Sequence, residues 1–561
     1  MRAASVLRAF GRLSPASVTA SEDLERAIAF LGWPVEPETV HRASYGVGLC
    51  VVGLGAAAAG FLPPRYRVSA ALGAVACGAL AAHAVRAYPR VRATTVRTRS
   101  LGAAPALVAR IVLRMRLSPS PERAAAVAAS AGRGRLTASL RRHHERARRA
   151  GRSGLAAFGE TWGGWFPALE RALELVIAAG SAPAERRDGV LDDALATVLD
   201  GTSDEVQSFA ATVRGPATAV YAFGVLLPTA LVALLPAAAT AGIGVSPVSV
   251  GIVYGVVLPG GLTVACVRLL ARRPVAFPPP GFGPDHRSVA DRRRSSLLVG
   301  GAATALGWWA GGALGTTGMA PTTAVGAGAG AALIVRYRPV LGVYDRIEAA
   351  EATLPEALSL IGRHVSEGVG AERAVAETAE SLDGPLSDLL EAASRRQRRL
   401  SEGLREALLG HEPTVRSPRL RDGLEAVVRA AENGRPAGEA LLAFAEHLDA
   451  LENIEREARH QLAYVCRTLH STGAAFAPLV AGTTVALAEG VETGALAGEE
   501  IAWLGGIVGW YVLALAVVLP ALATGLTRGL DRALVGYRVG RSLIAASGVF
   551  LCSYLLGGIL V

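Results

Sequence analysis

The sequence predicts an all-α, polytopic membrane protein with about nine transmembrane helices and two cytoplasmic helical-bundle domains. Three observations predict it. Hydrophobic residues make up 51% of the 561 and charged residues 19%, where a soluble chain runs near a quarter charged; mean hydropathy is +0.36. Apolar runs long enough for a bilayer, about 20 residues each, alternate with stretches dense in Arg. Those polar stretches lack alternating β-branched runs and repeat apolar residues at three- and four-residue spacing, as in Leu354, Ala357, Leu358 and Ile361, the period of a helix.

In chain order, residues 1–43 form a cytoplasmic segment without the apolar core of a cleavable signal peptide. Within it, 23–31 has helical spacing behind Ser21, a candidate N-cap. Spans are expected at 44–62 and 68–85, then at 217–241, 247–267, 297–317 and 319–335, and finally at 469–488, 501–526 and 542–561. The first bundle occupies 86–216 and the second 336–468, with a basic loop at 268–296. The Gly326-Ala-Gly-Ala-Gly330 run follows no strand and lies in an apolar segment. It therefore reads as close helix packing rather than a dinucleotide loop.

Arg placement orients the chain, because positive loops stay in the cytoplasm. Arg272, Arg273, Arg287, Arg292, Arg293 and Arg294 fall in one loop, and Arg528, Arg532, Arg538 and Arg541 in another. Glu489, Glu492, Glu499 and Glu500 occupy a loop with no basic residue. A cytoplasmic N-terminus and an extracellular C-terminus satisfy all of these; Arg65 and Arg67 are the exception.

The two polar segments look like copies. Pro105 precedes Pro355 by 250 residues, as Glu122-Arg123-Ala124 precedes Glu372-Arg373-Ala374. Leu169, Leu173-Glu174 and Val176 precede Leu420, Leu424-Glu425 and Val427 by 251. A near-constant offset is the signature of a repeat. Their charges differ: 21 Arg against 12 acidic residues over 86–216, a net +9, but 18 against 23 over 336–468, a net −5. In the first, Arg141, Arg142, Arg146, Arg148 and Arg149 form a basic run that suits either anionic lipid headgroups or an acidic docking partner. Nucleic acid is not expected, since no aromatic residues interleave with the run.

Few chemistries fit. The chain has no Lys and so no phosphate-binding GxxxxGK[ST] loop. His143 and His144 point about 100° apart on a helix and share no face. The five cysteines, Cys50, Cys77, Cys266, Cys466 and Cys552, form no CxxC pair and sit in or beside apolar runs. No metal site, disulfide, cofactor or catalytic residue is expected. Ionisable residues are nearly absent from the spans, which weighs against a pump. Pro228, Pro236, Pro259 and Pro478 leave open a channel or transporter built from duplicated halves.

Leu354-Pro355-Glu-Ala-Leu-Ser-Leu-Ile-Gly-Arg-His-Val-Ser-Glu-Gly368, followed by Ala371-Glu372-Arg-Ala-Val375, resembles the opening of the type II secretion system F domain. Val427 to Leu442, with Glu432-Asn-Gly434 at its turn and Leu441 near its end, is similar to that domain's second signature. In the first copy Ser118-Pro-Ser-Pro121 replaces the turn glycine, and Ala179-Gly-Ser-Ala-Pro183 stands where Glu432-Asn-Gly-Arg-Pro436 sits in the second. Two such domains, each leading into spans, resemble the membrane platform proteins of type IV pilus-like machines, and the extra spans look most like the archaeal versions in archaella and adhesive pili. The resemblance implies a non-enzymatic protein of the cytoplasmic membrane. Its implied partners are a hexameric secretion ATPase, pilin-like subunits and the lipid bilayer, and it admits a homodimer.

Overall fold

The computed structural model describes residues 21–61, 63–131, 134–150, 153–240, 246–271, 292–314, 318–410, 417–433, 435–490 and 502–560. Among these every regular element is helical. Helix α1 (Glu22–Leu31) precedes two long helices, α2 (Pro37–Gly60) and α3 (Pro64–Leu101). The first bundle follows as α4 (Ala104–Leu117), α5 (Pro121–Ala131), α6 (Arg135–Ala150), α7 (Gly154–Gly163) and α8 (Pro167–Ser181). Helix α9 (Ala184–Tyr221) leaves it, passes a π-helical turn at Ala222–Leu226 and continues as α10 (Leu227–Thr240). Next come α11 (Pro247–Ile252), a second π turn (Val253–Val257), α12 (Leu258–Ala271), α13 (Arg293–Leu314) and α14 (Ala320–Ala352).

The second bundle has the same sequence of parts: α15 (Leu354–Ser366), α16 (Ala371–Ser381), α17 (Pro385–Leu400), α18 (Leu404–Leu409) and α19 (Pro418–Asn433). Helix α20 (Arg435–Ser471), a π turn at Thr472–Phe476 and α21 (Ala477–Gly490) then lead out of it, before α22 (Ala502–Arg528) and α23 (Arg532–Leu560). The starts of α4 to α7 and of α15 to α18 lie 250 residues apart, and so do the two outgoing π turns. The spacing seen in a handful of residues therefore extends to helix boundaries.

Local chemistry sets many of those boundaries. Pro355 sits in the first turn of α15, where its missing N–H has no helical partner to lose. Gly368 ends the same helix with φ +95°. Its N–H donates to the Val365 carbonyl and that of Val369 to His364, which closes orphan carbonyls at a helix end. Gly434 lies outside the described residues.

Eight helices among the described residues are long and apolar enough to cross a membrane. The ninth expected span, 319–335, falls in α14, which is not one of the eight. Its Gly, Ala and Thr content lowers its hydropathy, and the same small residues pack closely on its neighbours. A Cβ on Gly328 would meet Thr304 of α13, and one on Gly330 would meet the Gly540 carbonyl of α23. Small residues admitting close backbones are how helices associate in lipid.

The expected domain edges at 86, 216, 336 and 468 are not breaks. α3, α9, α14 and α20 run through them as continuous helices, α3 past Pro89 and α14 past Pro339. At 1.5 Å per residue, α20 through α21 makes a rod about 84 Å long.

Candidate functional site

The two bundles share one buried core. It runs from Leu107, Ile111 and Met115 of α4 through Leu358 and Ile361 of α15 to Leu441 and Phe444 of α20. Across the joint, Arg110 faces Asp422 at 3.6 Å, with only 12% and 15% of the two side chains exposed. Burial pushes the Asp422 carboxyl up to about 6, despite the opposing pull of Arg110. The +9 and −5 segments are thus parts of one body, with an ion pair at the seam.

The family-motif residues divide into core and surface. Leu354 and Leu441 are buried, and the Leu354 side chain covers Gly423, where a Cβ would sit 2.9 Å from it. Glu372 is exposed in the first turn of α16. Glu432 pairs with Arg405 at 3.3 Å on the surface. One close crossing in this bundle was not singled out from sequence: α15 crosses α20 at Gly362 and Gly438. A Cβ on Gly438 would lie 2.7 Å from the Ser366 nitrogen and 2.8 Å from the Gly362 carbonyl. Two glycines inside helical patterns were the available signal.

The basic run occupies α6. Arg141 donates through Nη2 to the Ala129 carbonyl at 2.8 Å, so it caps the end of α5. Arg142 and Arg146 are exposed, while the side chains of Arg148 and Arg149 lie outside the description. Arg396, Arg398 and Arg399 end α17, 250 residues beyond Arg146, Arg148 and Arg149. The offset was legible, yet the sequence reading did not connect the two runs. Arg398 and Arg399 are exposed, whereas Arg396 donates to the Ala407 carbonyl at 2.7 Å.

Between the second bundle and the spans lies a charge network. Arg528, at the end of α22, contacts both oxygens of Glu348 at 2.9 and 3.0 Å. Arg459 of α20 reaches the same carboxylate at 3.1 Å. One turn on, Glu351 accepts from Ser417, and burial holds its carboxyl above the usual range. Tyr344 donates to Asp531 in the turn before α23. Bundle and span are therefore tied by directed, charge-assisted contacts.

Inside the membrane the π turns end two residues before Pro228, Pro259 and Pro478. Proline lacks an N–H and clashes with the carbonyl four residues back, and a π turn lets the helix pass. For Pro228 that orphaned carbonyl is Gly224, and the Tyr511 hydroxyl donates to it. Tyr254 donates to the Pro228 carbonyl at 2.6 Å and stands edge-on to Tyr511 at 5.5 Å. In the second half Ser553 reaches the Pro478 carbonyl at 3.3 Å.

Residues 357–484 match the family model of the type II secretion system (T2SS) protein F. This stretch covers most of the second bundle and continues through α20 into α21. Over that stretch the chain thus carries a T2SS protein F domain, which indicates a platform-type membrane protein. No curated protein and no solved structure matches the chain.

Proposed function

We propose that this chain is the platform protein of an archaeal type IV pilus-like or type II-like secretion system. It sits in the cytoplasmic membrane with nine spans, α14 being the sixth, its N-terminus inside and its C-terminus outside. Arg292, Arg293 and Arg294 at one end of α13 and exposed Trp308 and Trp309 near the other support that orientation, since basic residues favour the cytoplasm and aromatics the interfaces. The halves arose by duplication, which the 250-residue spacing of helix starts supports.

A hexameric secretion ATPase docks on the joined bundles, and the exposed Arg142 and Arg146 of α6 and Arg398 and Arg399 of α17 take part. Its movement passes along α9 and α20, which enter the membrane without a break, to pilin-like subunits beside the spans. The Pro-linked π turns are where each rod yields. The observation that carries this reading is the F-domain match ending inside a helix continuous with a membrane segment.

Deleting the gene tests it. The expected result is loss of a surface filament or of a set of secreted proteins, together with loss of the ATPase from the membrane fraction. Retention of all three overturns the reading, as does solute flux through the purified chain in liposomes without any ATPase.

A further inference from the structure

Three helices meet around one guanidinium at the cytoplasmic end of the spans. Arg538 of α23 lies half-buried, and it makes a long hydrogen bond from Nη1 to the Thr524 hydroxyl of α22, at 3.4 Å. That hydroxyl already donates to the Pro520 carbonyl at 2.7 Å. On the α20 side stand Cys466, whose thiol donates to the Ala523 carbonyl at 3.4 Å, and His470. The charges of Arg528 and Arg541 act on Arg538, and those of Arg538 and Arg541 act on His470.

The neighbouring carboxylates are engaged elsewhere. Glu348 is shared by Arg528 and Arg459. Asp531 accepts from the Ala533 and Leu534 nitrogens at 2.9 and 3.1 Å and from Tyr344. Among the described residues no carboxylate forms an ion pair with Arg538 or Arg541. Like charges gathered at a half-buried point repel, and an anion seated among them relieves that repulsion. A guanidinium fork fits phosphate oxygens in pairs. The cluster lies beside the expected start of the 542–561 span, and juxtamembrane cations meet anionic lipid.

We propose that Arg538, flanked by Arg541 and His470, holds the phosphate of an anionic phospholipid headgroup. The lipid fills the cationic gap between α20, α22 and α23 and so joins the end of the second rod to the last two spans. This site is separate from the ATPase-facing arginines, and it stands whether or not an ATPase docks.

The test uses the full-length chain in nanodiscs of phosphatidylcholine, in the same discs with added inorganic phosphate, and in discs containing phosphatidylglycerol. Phosphatidylglycerol is expected to raise Tm by roughly 3 °C or more, and inorganic phosphate to leave it unchanged. Arg538→Gln loses at least half of the lipid shift. Arg532→Gln, an exposed charge on the same helix, keeps it, which separates a site from general attraction. Arg541→Gln, also exposed, repeats the test if Arg538→Gln fails to fold, and it too reduces the shift. The proposal is overturned if both site variants respond like the unmodified chain. It is equally overturned if inorganic phosphate stabilises as much as phosphatidylglycerol, which marks a site for free anions.

Discussion

The two halves share helix boundaries but are held together by different means. The first bundle has an aromatic core: Phe158, Trp162 and Phe166 are buried, and Phe30 of α1 stands edge-on to Trp162 and Trp165 at 6.2 and 5.8 Å. Arg135 donates to the Phe30 and Leu31 carbonyls that end α1, so the N-terminal helix is clamped onto α6 and α7. The second bundle has instead a glycine crossing at Gly362 and Gly438 and the Glu348 network leading to α22. Val112 and Arg187 stand 250 and 251 residues before those glycines, so the first half lacks the small residues this close approach requires. One fold is thus set up as an anchor in the first half and as a tight coupling in the second.

The comparison predicts effects of graded size. Trp162→Ala opens a cavity in the aromatic core and costs about 3–5 kcal/mol. The expected sign is faster proteolysis at α1, with the second bundle protected; equal loss of protection in both bundles would mean the core is not divided this way. Gly438→Val forces α15 and α20 apart, at a cost of roughly 1–3 kcal/mol. It should expose the second bundle to hydrogen exchange and leave α1 docked. Tyr511→Phe strips the Gly224 carbonyl of its donor and costs roughly 1–3 kcal/mol. Ser553→Ala, which removes the longer bond in the other half, costs less, and a reversed order in thermal unfolding would contradict the asymmetry.

The last effect concerns the seam and depends on pH. Asp422 binds its proton more tightly folded than unfolded, since burial raises its carboxyl from an ordinary value of 3.8 to about 6. The folded state therefore holds the extra proton between these values, and its stability falls as pH rises from 4 through 6. Asp422→Asn is expected to flatten that slope, measured as Tm against pH. An unchanged profile would mean that folding does not shift the Asp422 carboxyl.

Much of the fold was legible because bilayer physics leaves few choices. Apolar length gave nine expected spans, eight of which fall in helices long and apolar enough to cross a membrane, and Pro355 and Gly368 marked the ends of α15 through backbone chemistry alone. The 250-residue offset was legible and the helix starts keep it, although Arg396, Arg398 and Arg399 went unconnected to Arg146, Arg148 and Arg149. What sequence did not disclose depends on distant parts meeting. Nothing local links Arg110 to Asp422, Tyr511 to the Gly224 carbonyl, or Glu348 to Arg528. The continuity of α9 and α20 across the membrane edge was hidden as well, since a change from polar to apolar composition reads as a boundary even where the helix runs on.

The central claim is that the joined bundles dock a secretion ATPase. The direct measurement is the affinity of the purified hexameric ATPase for the full-length chain in nanodiscs, set against the double reversals Arg142→Glu/Arg146→Glu and Arg398→Glu/Arg399→Glu. The account predicts binding by the unmodified chain and at least about tenfold weaker binding by each variant, or 1.4 kcal/mol, with Tm unchanged because these side chains are exposed. No binding by the unmodified chain, or equal binding by all three, would contradict it.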